Sequence, residues 1–352
     1  MINTQGQEVK LKKRLIIINN ACFLEKMKDQ YESIVFAPIF KSLPQKKYYE
    51  SRFNNLTTKY PYVKWSENLE PQGSDDILAW NSYLEKKAFK NAILPYQNRL
   101  FDTIPFEVGD TFTPFRKKIE GLLPDYYTDA VKPFDEEILK ELDYYFDDKK
   151  LPSHYFETRN GFLGRDFSTK FSSHLSSGFL DVKFLYNKVK DYENLNGSNK
   201  STYWIIFELL WREFFYWLYQ KHTTHFFSKN GIQGPHDFSD FSSSFIDIDK
   251  LKQMGPPFFR ACVNELSKTG YLSNRARQMF ASIWINDLEL DWRIGAKLFE
   301  TYLTDYDVYS NYGNWMYLAG VGSDPRGKRY FNLEKQLKNY DPEGAYIKFW
   351  GF

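Results

Sequence analysis

Cysteine is scarce in this chain of 352 residues, which contains only Cys22 and Cys262, far apart and without CxxC spacing. Two isolated cysteines predict neither a disulfide framework nor a thiolate metal site. Histidine is also rare, and the HTTH run at 222–225 has no carboxylate or third ligand at a helical offset on the same face. We therefore expect no bound metal.

Long apolar runs are missing as well. The N-terminal segment MINTQGQEVKLKKR lacks the apolar stretch of a signal peptide, and the most apolar segment, 202–219, is interrupted by Glu208, Arg212 and Glu213. These features predict a cytoplasmic protein without a membrane partner. The net charge is only +2, so a nucleic-acid partner would have to meet a local basic patch.

Aromatic residues, in contrast, are abundant: 32 Phe, 26 Tyr and 9 Trp make up 19% of the chain. So much flat, polarisable surface suits a protein that binds planar ring systems. An aromatic-rich core accounts for the same composition, so composition alone does not separate these alternatives.

The first part of the chain predicts a reduced Rossmann-like α/β layer. Residues 14–18 and 34–40 have the apolar runs of buried strands, with a short helix over 20–31 between them. A further helix over 74–90 and a third strand over 89–94 follow. Neither GxGxxG nor a P-loop is present, so this layer has no phosphate cradle of its own.

Closely spaced prolines from 95 to 153 predict a connecting segment, and nearly everything after 155 has helical spacing. The predicted helices are 170–176, 180–192, 202–221, 256–269, 273–287 and 294–303. The predicted domains are a shortened α/β domain at 1–105, the connecting segment at 106–153 and a large all-α domain at 154–352.

The segment TYWIIFELLWREFFYWLYQ (202–220) carries aromatics throughout a predicted helix. Glu208, Trp211, Arg212 and Phe215 fall at i, i+3, i+4 and i+7, so a carboxylate, an indole and a guanidinium share one face. A buried helix with an internal ion pair explains this pattern too. Burying both charges is costly, however, unless a polar ligand or partner meets them.

Three further stretches have the composition of ligand-binding segments. In RDFSTKFSSHLSSG (165–178), hydroxyls and one lysine precede a helix and suit a diphosphate, although Ser/Thr-rich helix starts are common. Ser273 predicts an N-cap that places Asn274, Arg277 and Gln278 on one face, which an exposed surface also explains. The run SNYGNWMYLAGVGSDPR (310–326) combines aromatics, amides and glycines without charge before its aspartate.

Taken together, these stretches resemble the photolyase/cryptochrome family, and specifically its DASH branch. The matching blocks are YFETRNGFLGRDFSTKF (155–171), STYWIIFELLWREFF (201–215), TGYLSNRARQMFASIWINDLELDWRIGAKLFE (269–300), DYDVYSNYGNWMYLAGVGSDPR (305–326) and YDPEGAYIKFW (340–350). They lie in the family's order and cover most of the chain from 155 onward.

The resemblance implies that the helical domain binds FAD non-covalently. In this comparison the STKFS loop takes the diphosphate, Arg277 and Asp305 form an ion pair beside the isoalloxazine, and Asn311 faces flavin N5. The full set of cofactor residues implied in this way is Tyr155, Ser168, Thr169, Lys170, Phe171, Ser172, Arg212, Arg277, Asp305, Asp307 and Asn311.

The resemblance also implies a light-driven lyase that repairs cyclobutane pyrimidine dimers in DNA by electron transfer from photoexcited reduced FAD. Its catalytic residues would be Glu208, Trp211, Asn274 and Tyr317. Arg275 and Gln278 would join Glu208 and Trp211 in binding DNA. Because Tyr317 is smaller than the usual indole, single-stranded DNA is the expected substrate of a monomeric protein. The alternatives are a non-catalytic blue-light photoreceptor and a structural or nucleic-acid-binding protein with an empty pocket.

Three features depart from the family pattern. Trp315 and Trp292 match the proximal and middle tryptophans of the photoreduction chain, but no tryptophan lies between Trp217 and Trp284 to serve as the third. The electron must therefore leave through a tyrosine, another tryptophan or a shorter path. The opening strand with its WFR-like motif is missing, so we expect no antenna chromophore. Arg260 stands where relatives carry an acidic residue.

Overall fold

The computed structural model describes residues 12–17, 31–36, 41–59, 63–65, 76–79, 92–93, 98–239 and 247–351. The strands in this part of the chain all lie before residue 94, and the residues from 98 onward fold into helices and loops. None of the described helices is long and apolar enough to cross a membrane.

The N-terminal strands form one parallel sheet. The strands are β1 (Lys12–Ile17), β2 (Tyr31–Phe36), β3 (Val63–Trp65), β4 (Asp76–Ala79) and β5 (Ala92–Ile93). Their order is β3-β2-β1-β4-β5, which is the order found in doubly wound sheets. Leu15 of β1 is in register with Ile34 on one side and Ile77 on the other.

The predicted elements of this region are partly corrected. The strands expected at 14–18 and 34–40 exist with earlier bounds, and β3 was not predicted. The helix expected over 74–90 is wrong at Asp76–Ala79, which forms β4, because a short apolar run such as DILA fits a buried strand as well as a helix. Residues 80–90 lie outside the described residues. The helix predicted over 20–31 also lies outside them, except for Tyr31, which begins β2.

The helices have the following bounds: α1 Leu43–Lys59, α2 Phe112–Glu120, α3 Glu136–Asp143, α4 Tyr155–Thr158, α5 Ser172–Ser177, α6 Val182–Asn196, α7 Lys200–His222, α8 Ile248–Leu251, α9 Pro257–Thr269, α10 Asn274–Ser282, α11 Trp292–Tyr302, α12 Val308–Ala319, α13 Leu333–Tyr340 and α14 Ala345–Trp350. A π turn continues α3 over Tyr144–Asp148, and another continues α10 over Ile283–Asp287. The predicted helices after 170 therefore exist, with ends displaced by a few residues.

Helix α7 lies at the centre of the helical part. Its start is fixed by a capping box in which the Asn199 side chain accepts from Thr202 N–H while the Thr202 hydroxyl accepts from Asn199 N–H. Its apolar side is buried, with Leu210, Phe214 and Leu218 fully enclosed, and it packs against α2, α4, α6 and α12. The buried helix predicted from 202–220 is thereby confirmed.

Two glycines let α12 approach its neighbours closely. A Cβ atom on Gly313 of α12 would overlap the ring of Phe215 on α7, and one on Gly295 of α11 would overlap the indole of Trp315. Glycine inside a helix costs about 1 kcal/mol relative to alanine, so close packing accounts for its presence here. The consequence is that the aromatic and amide side chains of α12 lie directly against α7 and α11.

Candidate functional site

A cavity of about 430 Å³ lies between α5, α7, α10 and α12. This volume is in the range of small-molecule and cofactor sites. The sequence-predicted residues that line it are Tyr155, Ser168, Thr169, Lys170, Ser172, Glu208, Trp211, Arg212, Asn274, Arg277, Gln278, Asp305, Asp307 and Tyr317. A smaller adjoining cavity of about 90 Å³ adds Asn311 and Trp315.

Two of the predicted cofactor- and DNA-binding residues lie outside this wall. Phe171 is buried and packs edge-on against Tyr145, with ring centroids 5.5 Å apart. Arg275 turns to Asn160, whose Oδ1 accepts from Nε at 3.2 Å and from Nη2 at 3.0 Å. Arg260, flagged as a departure in the sequence, donates to the carbonyl of Gly255 at 2.8 Å.

One end of the cavity is formed by the loop of hydroxyl residues before α5. Lys170 has a left-handed backbone, with φ of 61°, and its Nζ donates to the hydroxyl of Tyr271 at 2.8 Å. The ammonium also lies 3.7 Å from the ring centroid of Phe167. Burial lowers the pKa of Lys170 to about 8. An anion bound here would favour the charged ammonium, so the loop has the chemistry of a phosphate site.

The cavity is also lined by a partly buried ion pair. Arg277 Nη2 donates to both carboxylate oxygens of Asp305, at 3.0 and 2.8 Å, while its Nε donates to the carbonyl of Leu272 at 2.9 Å. These three bonds hold the guanidinium in one plane. The pair therefore presents a fixed, nearly neutral polar edge to a ligand.

Asp307 and Asn311 are both fixed at the start of α12. Asp307 is the N-cap, and its Oδ1 accepts from Ser310 N–H at 2.8 Å. Burial would raise the pKa of Asp307, but Arg99, Arg212 and the Ser310 N–H outweigh burial, and the pKa lies below its ordinary value. Asn311 donates from Nδ2 to Ala296 O at 2.9 Å, which orients its amide.

At the other end of the cavity, Glu208 is held by two donors. Its Oε1 accepts from Arg159 Nη1 at 2.9 Å and from Trp204 Nε1 at 3.1 Å. Burial raises the pKa of Glu208, and the two donors oppose that rise without cancelling it. Arg159 also lines the cavity and was not predicted. The sequence signal that could have identified Arg159 is its position in the matching block 155–171, four residues after Tyr155.

Trp211 has one ring face covered. Phe112 of α2 stacks on it with centroids 3.7 Å apart and planes inclined by 12°. Tyr317 meets the same indole edge-on at 5.9 Å, and its hydroxyl accepts from Arg329 Nη2 at 2.8 Å. Trp211 also meets Phe215 at 5.5 Å with planes inclined by 33°, and its indole lines the cavity that a planar ligand would enter. Phe112 lies in the predicted connecting segment, where no sequence pattern pointed to the cavity.

The two predicted electron-transfer tryptophans belong to different ring clusters. Trp315 meets Trp284 edge-on at 6.2 Å, whereas Trp292 meets Tyr312 at 6.1 Å. Trp292 is also fixed by a hydrogen bond from Nε1 to the carbonyl of Lys229 at 2.9 Å. Trp284 is thus a second candidate, besides Trp292, for electron transfer with Trp315, and the family resemblance did not indicate it.

The histidines of the HTTH run form no metal centre in the described residues, where no group of three or more His, Cys, Asp and Glu side chains could hold an ion. His222 instead pairs with Asp110, with Nε2 and Oδ1 2.6 Å apart. His225 stacks on His236 with ring centroids 3.3 Å apart.

Comparison with known proteins gives three kinds of match. Residues 204–351 match the family model described as the FAD binding domain of DNA photolyase. Cryptochrome DASH of Vibrio parahaemolyticus is 42% identical over 281 residues, which are 71% of this chain and 63% of that protein. The chloroplastic/mitochondrial cryptochrome DASH of Solanum lycopersicum is 48% identical over 206 residues, 58% of this chain and 36% of that protein. The chain spans less than two thirds of the length of these relatives.

Solved structures show the same similarity. The Synechocystis cryptochrome structure superposes with a TM-score of 0.78 at 28% identity and covers 97% of this chain and 89% of that chain. A bacterial class III photolyase from Agrobacterium tumefaciens gives a TM-score of 0.69 at 19% identity and covers 99% of this chain and 88% of that chain, which shows the shared fold alone.

Proposed function

Because the chain belongs to the DASH branch of the photolyase/cryptochrome family, we propose that it binds FAD and uses light to split cyclobutane pyrimidine dimers in DNA. The observation that carries the proposal is the 430 Å³ cavity, whose two ends differ in chemistry. One end offers hydroxyls and an ammonium group, and the other offers a carboxylate and an indole. The first set of groups suits a phosphate-bearing cofactor, and the second suits a planar ligand with a polar edge.

The residues present fit FAD. Lys170, with a pKa lowered to about 8 by burial, is a cation that a diphosphate would stabilise. Arg277 and Asp305 supply a fixed polar edge for the flavin ring, and Asn311 supplies an oriented neutral amide. When bound, FAD supplies the light absorption and the transferred electron.

The residues at the proposed substrate end of the cavity would act by positioning the lesion. Trp211 would stack its indole on a pyrimidine dimer flipped out of its strand, and Phe112, stacked on the indole, fixes its plane. Glu208, oriented by Arg159 and Trp204, would accept hydrogen bonds from the polar edge of the dimer. Asn274 and Gln278 line the same wall. Stacking and hydrogen bonding would hold the lesion against the cofactor and exclude water.

The test is illumination of the fully reduced protein with dimer-containing single-stranded and duplex oligonucleotides. We expect repair of both, with the single strand repaired faster, since Tyr317 gives little surface to replace the stacking lost when a duplex base flips. A blue-light photoreceptor is the second candidate, favoured by the cryptochrome name of the relatives. If reduced, illuminated protein repairs neither oligonucleotide, the lyase proposal falls and the photoreceptor proposal takes its place.

We further propose that the protein is a monomer. We also propose that FAD is its only light-absorbing cofactor. The purified protein should show no absorption band of a folate or deazaflavin. Its action spectrum should follow reduced flavin, and a maximum elsewhere would contradict the proposal.

Replacing Trp315 by phenylalanine should abolish photoreduction of oxidised FAD while the cofactor stays bound, because phenylalanine is much harder to oxidise. Trp292→Phe should slow it strongly. Trp284→Phe is the matched control, since Trp284 is fully buried and its other ring contacts are Phe259 and Phe280, which cannot carry the charge onward. Transient absorption after a light flash measures all three rates. Loss of photoreduction in Trp284→Phe, together with a parental rate in Trp292→Phe, would show that the electron passes through Trp284 and not through Trp292.

A further inference from the structure

Arg99 is an arginine enclosed in the helical part, with only 2% of its surface exposed. Its guanidinium lies between two aromatic rings, 4.7 Å from the centroid of Tyr216 and 5.1 Å from that of Tyr309. Nη1 donates to the carbonyl of Arg212 at 2.9 Å, and Nη2 donates to Oδ2 of Asp307 at 3.1 Å. Both acceptor residues line the main cavity.

The residues on either side of Arg99 are anchored as well. Asn98, in a left-handed conformation with φ of 47°, donates to Leu175 O at 2.8 Å and accepts from Val182 N–H at 2.9 Å. Its own carbonyl accepts from the Arg212 guanidinium. Leu100 N–H donates to Oε1 of Glu213 at 2.8 Å. Residues 98–100 therefore connect α5, α6 and α7 directly behind the cavity wall.

A buried guanidinium is costly unless a charge and hydrogen bonds compensate it. Arg99 finds that compensation in Asp307, whose second oxygen already caps α12. The other charged and titratable groups around this pair are Arg212, Glu213 and Tyr216 on α7, Tyr309 on α12, and Asp305 with its partner Arg277. Arg99 is the largest of the interactions that lower the pKa of Asp307 against burial, so its loss moves that pKa upward.

We propose that Arg99 is a positioning residue of the cofactor site: through its bond to Oδ2 it holds Asp307 at the cavity wall and balances the carboxylate charge, and so sets the affinity for FAD and the reduction potential of the bound flavin. This inference rests on the FAD binding of the proposed function. The Arg99–Asp307 pair adds no net charge beside the cofactor. Removing the cation leaves one negative charge, which opposes both the diphosphate and the uptake of an electron by the flavin.

The sign of the pH dependence follows from this charge balance. In Arg99→Met at high pH, Asp307 is ionised and has lost its largest compensating charge, with Arg212 and the Ser310 N–H remaining, so FAD binding weakens and the flavin potential falls. As the pH drops through the raised pKa of Asp307, the carboxyl takes up a proton and the site becomes neutral again. Affinity and potential should then return toward parental values.

The experiment compares Arg99→Met with Arg293→Met and with the double variant Arg99→Met/Asp307→Asn. Arg293 is also 2% exposed and pairs at 2.7 Å with Asp291, the N-cap of α11, but neither residue lines the cavity. The FAD dissociation constant is measured by flavin fluorescence, and the midpoint potential by spectroelectrochemistry in the dark. Both are followed as the pH is lowered from alkaline to acid values within the range in which the protein stays folded.

We expect Arg99→Met to bind FAD at least about tenfold more weakly at the upper pH, with a lower flavin potential, and to recover as the pH falls. Arg293→Met should keep both parental values, and the double variant should lose the pH dependence. If Arg99→Met folds poorly, Arg99→Lys keeps the positive charge and should show a smaller, pH-independent loss. Equal FAD affinity and potential in Arg99→Met and Arg293→Met at every pH would overturn the inference. A parental protein without FAD would overturn the proposed function as well.

Discussion

Charge reversal of Asp305 to lysine should leave the purified protein colourless, whereas the parental protein should carry about one non-covalent FAD per chain. Asp305 is buried beside the cavity and holds Arg277 through two hydrogen bonds, at 3.0 and 2.8 Å. A lysine at this position places two cations side by side in a partly buried site, so the polar edge for the flavin is lost and one cation must move or lose its proton.

The measurement is the flavin released by heat from purified protein, identified by chromatography and divided by the protein concentration. Asp249→Lys is the matched control, because Asp249 is an exposed aspartate on α8 that forms an ordinary surface pair with Lys252 at 2.7 Å. This variant should keep its flavin. Release of FMN from the parental protein, or a full FAD complement in Asp305→Lys, would contradict the cofactor assignment.

Replacing Trp211 by alanine should weaken the binding of a pyrimidine dimer by roughly ten- to a hundredfold at unchanged flavin content. Stacking of a base on an aromatic side chain contributes about 1–3 kcal/mol, and tenfold in affinity corresponds to about 1.4 kcal/mol. Phe112 fixes the indole plane, so the stacking surface is formed before the lesion arrives. Binding is measured in the dark by fluorescence anisotropy of a labelled dimer-containing oligonucleotide.

Trp217→Ala is the control for this variant, since Trp217 lies on the same helix without lining the cavity. It should bind the lesion as the parental protein does. If Trp211→Ala binds the lesion with parental affinity, the lesion does not stack on Trp211 and the proposed lesion pocket is wrong.

A second substitution in the same pocket separates binding from repair. Glu208→Ala should lower the repair rate by more than it lowers affinity, because the carboxyl can stabilise charge that develops only after electron transfer. Flash repair yields and dark binding are compared in one preparation. Equal losses in both would assign Glu208 to binding alone.

The family could be recognised from the sequence because its signals are local. The STKFS loop, the aromatic helix and the amide-rich run each keep their residues within one short block, and the DASH-type resemblance that they predicted is confirmed by the comparisons. Helical periodicity also placed Asn274, Arg277 and Gln278 on one face, and all three line the cavity.

The N-terminal elements show where local pattern is insufficient. DILA at 76–79 has too few residues for its period to distinguish helix from strand, and it became β4 because β1 lies beside it in the sheet. The three-residue strand β3 gave no signal at all, since it depends on pairing with β2. The domain bounds at 105 and 153 stay predictions.

The family resemblance carried by the local blocks predicted the Arg277–Asp305 pair, which the structure contains, and predicted the hydroxyl loop and the aromatic residues that line the cavity. Folding alone decided which residues support that wall. Phe112 reaches Trp211, Arg159 reaches Glu208 and Arg99 reaches Asp307 across separations that follow no helical or strand period. The physical reason is that a buried charge or ring finds its partner through three-dimensional packing, and such pairing leaves no repeat in the sequence.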